Sequence, residues 1–451
     1  MSKNSYTRRG FLKTIGFGAI CAILLSMASS CSRKPDYELT REVIQDDETG
    51  MSYEMVRNPA DPIYGEKGSA AKVLEIGDPA GLATDPDGNY IFTEGADENY
   101  IFAGIRDVSF KNDTIYVADK FEENIRVFDT HGVYQETIGR KGRGPGEFSW
   151  IRNIYVDDGG FVYVYERNGS SLHIFNNDHE FLRKHNVKSL VKGLTEIYDI
   201  ASFNPENFLL HSSFRSLMPD FEIAHDNENE DLFVRLNKDG EWFSFGPIGY
   251  PGFEKDIESL KKETTPGTSI DYNIYCSMIL SFKNMFLDKE DELLYSSTKA
   301  FPSRVVVRSS DDGRILRIIE KSVAENGTSF ITQEVDREEF SHAPMLPLHI
   351  RFNKTDNSVT LFYIREEGIG IFADDANIYN VYRRLSKDED SLRVQHFMDV
   401  FDLNGTYKQR VPLDMEIGSN FGGMDDEGNI VVFRNDPWPV VEKYRLGGIE
   451  K

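Results

Sequence analysis

A polar residue framed by apolar ones returns at a constant interval, and that interval limits what this chain can fold into. Ile105-Arg106-Asp107-Val108 is followed by Ile151-Arg152-Asn153-Ile154 and then by Ile197-Tyr198-Asp199-Ile200. Asp107 lies 46 residues before Asn153, and Asn153 lies 46 before Asp199. A period of this size marks a repeat architecture, in which each unit buries its apolar face only against its neighbours.

Within each unit the residues read as short strands. Thr114 to Ala118 and Phe161 to Tyr165 are β-branched and aromatic runs bounded by Asp, Asn and Gly. Asn124 to Phe128 and Ser171 to Phe175 alternate polar and apolar residues, as half-buried strands do. Asp129-Thr130-His131-Gly132 supplies turn chemistry, and Val133 to Ile138 makes a fourth strand. Four antiparallel strands in about 45 residues make one β-propeller blade.

Later units are stretched by insertions, so the innermost strand is the anchor for counting. Phe282 to Asp288 repeats the frame with Asn284 at the polar position, and Leu348 to Asn353 repeats it with His349 there. Phe421 to Asp426 repeats it again, with Phe421 read at the ring position. The expectation is an all-β, six-bladed propeller of four-stranded antiparallel blades. The last unit offers only three strands before the chain ends, so Lys72 to Ile76 is expected to supply its outer strand and close the ring. Five or seven blades stay open, because residues 325–412 are long and irregular. Residues 211–230, 249–275 and 364–396 read as insertions, the last carrying Tyr379, Tyr382, Arg383 and Arg384; long loops are where ligand surfaces sit.

Gly142-Arg143-Gly144-Pro145-Gly146-Glu147-Phe148, with Ile115 to Asp119 and Ile125 to Gly132, resembles the NHL-repeat propellers. The whole pattern is similar to the six-bladed propeller lipoproteins of Bacteroidetes, most strongly over residues 101–178. The glycine run is not a nucleotide cradle, since no Gly-Lys-Ser/Thr follows and no helix opens there. An inter-blade loop is its expected role.

Thr7-Arg8-Arg9-Gly10-Phe11-Leu12-Lys13 matches the twin-arginine export pattern, and an apolar run from Ile15 to Ala28 follows. That run is too short for a stable spanning helix. Ala28-Ser29-Ser30-Cys31 resembles a bacterial lipobox, which implies lipid on Cys31 and a partnership with the membrane through it. By the same resemblance, Ser32 and the absence of an acidic cluster after Cys31 imply the outer membrane, facing the periplasm. The expected organisation is a signal over 1–30, a tether over 31–70 and the propeller over 71–451.

Composition removes several functions. The chain has 75 acidic against 51 basic residues, a net charge of −24. Lys3, Arg8, Arg9 and Lys13 leave with the signal and no acidic residue does, which takes −24 to −28. Nucleic acid demands a basic footprint and is excluded as a partner. Cys21 leaves with the signal and Cys31 carries lipid, so Cys276 alone remains and no internal disulfide can form.

No nucleophile elbow, metalloprotease helix or dinucleotide fingerprint occurs. The candidate site is the repeated polar position: Asp107, Asn153, Asp199, Asn284 and His349. Innermost strands line a propeller's channel, so these side chains are expected to converge there. One use is structural, holding channel water and capping strands. The other is a hard cation such as Ca²⁺, which suits oxygen ligands; the arrangement resembles the metal site of gluconolactonase-type propellers, implying a metal-dependent hydrolase or lyase. Arg106, Arg152 and Lys283 precede ring positions and are expected to pair with the ring carboxylates, with anion binding as the other use. The leading functional expectation is a binding module for a protein or carbohydrate ligand, without chemistry.

Overall fold

The computed structural model describes residues 38–45, 50–84, 90–167, 170–194, 196–213, 231–247, 285–297, 303–322, 330–336, 349–352, 358–388, 391–425 and 427–450. It is a six-bladed β-propeller. The innermost strands are Ile105–Lys111, Ile151–Val156, Glu196–Asn204, Met285–Asp288, Glu366–Ala373 and Asn420–Met424. They contact one another in that order, and the last returns to the first. Blades 1, 2, 3 and 5 are four-stranded antiparallel sheets in simple meander order. Blade 6 takes its outer strand from the other end of the chain, where Ser69–Ile76 pairs antiparallel with Val440–Gly447. The expected closure is the one observed, and it leaves no open edge between first and last blades.

The core is divided among the seams between blades, as nearest-neighbour burial requires. Ile125 and Val127 of blade 1 meet Val162 and Val164 of blade 2. Tyr163, Leu172 and Ile174 meet Phe208, Leu210 and Val234 of blade 3. Phe128, Ile115 and Val117 meet Val431 and Phe433 across the ring closure. These side chains are fully or almost fully buried, each contributing on the order of 1.5–3 kcal/mol.

Blade 5 corrects the sequence reading. Its innermost strand is Glu366–Ala373, whereas His349–Phe352 belongs to a separate three-stranded sheet with Phe330–Asp336 and Ser358–Ile364. That sheet is an insertion between blades 4 and 5. Residues 364–396, read as a loop, are largely the blade itself. Tyr379 and Tyr382 are buried in it, and Arg383 and Arg384 pair with Glu367 and Glu366 on the adjoining strand. The extended tip carries Leu385, Leu392 and Val394, which pack on Ile331, Val359 and Leu361 of the inserted sheet.

The expected tether is also structured in part. Thr40–Gln45 and Ser52–Asn58 form a hairpin whose second strand pairs parallel with the outer strand of blade 4, Ile315–Lys321. The chain then follows blade 5, where Ile63, Tyr64 and Lys67 donate backbone N–H bonds to Tyr407, Lys408 and Arg410. The stretch from Thr40 to Ile76 therefore covers the outer edges of three consecutive blades. Asn58, 2 % exposed, ties it in by accepting from the Tyr407 N–H at 2.8 Å and donating to the Gly405 carbonyl at 2.9 Å. Among the described residues no helix is long and apolar enough to cross a membrane.

Candidate functional site

Three innermost strands carry the same irregularity at the same place. The pairing register shifts between Ile105 and Asp107, between Ile151 and Asn153, and between Ile197 and Asp199. A bulge inserts one unpaired residue and re-aims its neighbour. The inserted residues are Arg106, Arg152 and Tyr198, and the re-aimed ones are the repeated polar residues. Blades 5 and 6 shift between Gly368 and Gly370 and between Phe421 and Gly423. The ring position is therefore glycine in those blades, not His349 and not Phe421. Gly370 is there for space: a Cβ on it would stand 2.2 Å from the Phe421 ring. Asn284 and Lys283 lie outside the described residues, as do Cys31 and the rest of the export signal.

The polar residues that are described act between blades. Asp107 accepts the N–H of Val108 at 3.0 Å on its own strand and that of Ile154 at 2.9 Å on the next blade. Asn153 donates to the Tyr198 carbonyl of blade 3 at 2.9 Å, again one blade onward. Its Oδ1 is buried without a protein partner, an acceptor of the kind channel water satisfies. Asp199 accepts the Ile200 N–H at 2.8 Å. Asp107 thus clasps its own strand to the next blade. Among the described residues no three His, Cys, Asp or Glu side chains gather closely enough to hold a metal ion.

Strand direction separates two faces. Each innermost strand starts on one face, and its antiparallel neighbours return there, so connections before the first strand and after the second all lie on that face. The connections after the first and third strands lie on the other. On this second face the turns are short and self-satisfied: Asp129, Asp157, Asn176, Asn237 and Asp425 each accept two N–H groups from the turn they open. The inserted sheet, the 385–394 tip and the ends of the strands flanking residues 214–230 and 248–284 all belong to the entry face.

That entry face also carries exposed aromatic side chains and a group of arginines. Phe121, Trp150 and Trp438 are 51, 38 and 37 % exposed, on connections of blades 1, 2 and 6. The Arg106 and Arg167 guanidiniums stand 5.9 and 5.8 Å from the Trp150 ring, within cation–π reach. Among the described residues no ion pair joins Arg106 or Arg152 to Asp107 or Asp199; both Asp107 oxygens and one Asp199 oxygen accept backbone N–H groups. Burial, and then the Arg152 charge, pull Arg106 below the usual arginine range, with Arg167 adding to the pull and Glu123 and Asp107 opposing it. The Arg106 Nε is buried with no acceptor. Glu123 is itself pushed up by burial, and its Oε2 accepts the Ile151 N–H at 2.7 Å. Asn435 holds Ile105 in the same manner at the ring closure, through 2.6 and 2.9 Å bonds.

Two other constellations are structural. The glycine loop is an anion cradle already filled by its own chain. Glu147 Oε2 accepts the N–H groups of Arg143 and Gly144 at 3.1 and 2.8 Å, and a Cβ on Gly142 would stand 2.2 Å from that oxygen. Ser149, Glu166 and His173 also meet, but the carboxylate lies between hydroxyl and imidazole: His173 Nε2 is 3.1 Å from Glu166, and the Ser149 hydroxyl donates to it. Burial opposes ionisation of Glu166, yet bonds from His173 and Ser149 and the Lys184 charge outweigh it and hold the carboxyl at about 2. So weak a base activates no serine near neutral pH.

Sequence reasoning singled out Arg106 and Arg152 but missed Arg167 and Glu123. Both sit after the second strand of their blades. The connection that follows second strands was their only signal.

Residues 87–236 match the family model DUF5128, a 6-bladed beta-propeller. Solved structures with a similar chain path include a putative exported protein from Bacteroides fragilis NCTC 9343, at 11 % identity and TM-score 0.43, covering 84 % of this chain and 99 % of that one. A member of the duf4221 family from Bacteroides vulgatus matches at 12 % identity and TM-score 0.48, covering 85 % and 99 %. A gluconolactonase from Xanthomonas campestris matches at 11 % identity and TM-score 0.39, covering 76 % and 86 %. No curated protein matches the chain.

Proposed function

We propose that this protein is exported, anchored through lipid on Cys31 to the outer membrane facing the periplasm, and binds a ligand or partner protein without transforming it. The observation that carries this reading is the one-sided distribution of features on a closed scaffold. The entry face gathers the inserted sheet, the exposed Phe121, Trp150 and Trp438, and the arginines around Trp150. The opposite face is closed by tight turns that satisfy their own polar groups. Exposed aromatic and arginine side chains are the residue types that dominate binding energy when a partner covers them. A calcium-dependent hydrolase built on the ring is disfavoured, because one Asp107 oxygen holds the Val108 N–H of its own strand and the other the Ile154 N–H of the next blade.

Two experiments test the proposal. Fatty-acid labelling in cells should mark the wild-type chain and leave Cys31→Ser unlabelled and released from membranes; equal labelling of both would remove the anchor. Glycan arrays and pull-downs with the purified chain should return a ligand, with no turnover of lactone or ester substrates. Specific turnover would overturn the binding-module reading.

A further inference from the structure

The N-terminal strap changes what a lipid on Cys31 does to the propeller. A flexible tether from Cys31 to residue 70 would leave the domain free to tumble away from a bilayer. Instead, Thr40–Gln45 is already paired with Ser52–Asn58, and that second strand is paired with the outer strand of blade 4. Arg41 of the first strand also donates to the Asn404 carbonyl at 2.6 Å and to the Thr406 hydroxyl at 2.9 Å, both on blade 5. Only residues 32–39 separate Cys31 from this pinned strand, a reach of at most about 32 Å when fully extended. Further along, the buried Gln409 side chain donates to the Lys67 and Gly448 carbonyls at 2.8 Å each, and Lys72 pairs with the buried Glu442 at 3.1 Å. The attachment point therefore lies on the rim of the ring, beside blades 4 and 5, and on neither face.

We propose that the strap side of the rim docks on a zwitterionic lipid surface, so that the propeller stands edge-on to the bilayer and its entry face opens sideways. The inference rests on the reading that Cys31 carries lipid, and it names the surface that meets the membrane. Exposed apolar side chains mark each part of the strap: Val43 on the hairpin, Ile63 and Tyr64 along blade 5, and Val73 on the strand that closes blade 6. Tyrosine and aliphatic side chains settle at the boundary between headgroups and acyl chains. Leu182 on the outer strand of blade 2 is exposed as well, so apolarity alone does not choose a side of the ring. The anchor chooses it. Charge chooses the lipid: each basic side chain of the strap is already matched, Arg41 by Glu54, Arg57 by Glu42, Lys67 by Glu450, and Lys72 by Glu75 and Glu442. Residues 38–76 hold nine acidic and four basic side chains, which an anionic surface repels and a zwitterionic one tolerates.

The test places the lipidated chain in phosphatidylcholine vesicles that contain a nitroxide-labelled lipid. A polarity-sensitive dye is attached to one cysteine at a time in a Cys276→Ser background, by Val43→Cys, Tyr64→Cys, Leu182→Cys or Phe121→Cys. Dyes at the Val43 and Tyr64 positions should shift to the blue and be quenched several-fold more than those at Leu182, on the opposite rim, and Phe121, on the entry face. That quenching should persist in high salt and should not rise when anionic lipid is added. Vesicle-bound chain with equal quenching at all four positions, or with the strongest quenching at Phe121, overturns the inference and leaves the anchor in place. Quenching that requires anionic lipid and low salt overturns it too. If Cys31→Ser floats with vesicles as the wild type does and is still quenched at Val43 and Tyr64, the anchor falls and the docking surface stands. If neither chain floats, both fall. Should Cys276→Ser fail to fold, hydrogen exchange reads the same contrast, with the wild-type chain on vesicles set against Cys31→Ser in solution. Exchange should slow at Val43 and Tyr64 and stay unchanged at Leu182 and Phe121; no difference among the four overturns the inference.

Discussion

The two faces of this propeller use the same residue types for opposite ends. On the turn face, acidic and amide side chains fold back on their own backbone: Asp157 accepts the N–H groups of Gly159 and Phe161 and the Tyr163 hydroxyl, at 2.9, 3.0 and 2.8 Å. On the entry face, Glu123 and Asn435 reach across seams to hold the first residue of the next innermost strand. Arg106 and Arg167 gather there around an indole. A fold whose every blade must close at both ends can leave only one end free to vary. The difference teaches that stability and recognition are separated along the propeller axis, and substitutions can test that separation.

The largest effect is expected on the turn face. Asp157→Ala removes three hydrogen bonds, one from a buried tyrosine, and should cost about 2–4 kcal/mol in denaturant unfolding while ligand affinity stays unchanged. A loss of affinity at unchanged stability would break the comparison. Next comes the clasp between blades: Asp107→Ala should cost about 2–3 kcal/mol, equally with and without added calcium. A destabilisation that appears only in calcium would restore the metal reading.

The third effect depends on pH. The Glu166 carboxyl is held at about 2 in the folded chain, below the ordinary carboxyl range near 4.3 in the unfolded one. Its contribution is fully present above that ordinary value and is lost as pH falls toward 2. Thermal midpoints of wild type and Glu166→Gln should therefore differ near neutral pH and converge on acidification. A constant difference would mean that packing, not charge, is what the substitution disturbs. The smallest effect on stability belongs to the entry face: Arg152→Gln should change it by less than about 0.5 kcal/mol, or raise it by relieving repulsion. Its effect appears in binding alone.

Much of the fold was legible because blades 1 to 3 label the bulge with Asp107, Asn153 and Asp199. The label fails where packing solves the same problem without a polar group. Gly370 leaves room for Phe421, so blade 5 shows no polar residue at the bulge. The alternating strand around His349 then took its place in the count. The hairpin of Thr40–Gln45 and Ser52–Asn58 was hidden by charge: its first strand is almost wholly exposed, and only Tyr53, Met55, Val56 and Asn58 on the second are buried. At the candidate site, Arg106 and Arg152 were visible beside the repeat. Their grouping with Arg167 and Glu123 depends on connections that carry no period.

Hydrogen exchange of the full chain, free and bound to the ligand that arrays or pull-downs return, tests most directly whether recognition is confined to one face. Exchange should slow on the entry face, at Phe121 to Glu123, Trp150 to Arg152 and Arg167, with the turns opened by Asp129, Asp157 and Asp425 unchanged. Protection confined to those turns would contradict the separation of the two faces.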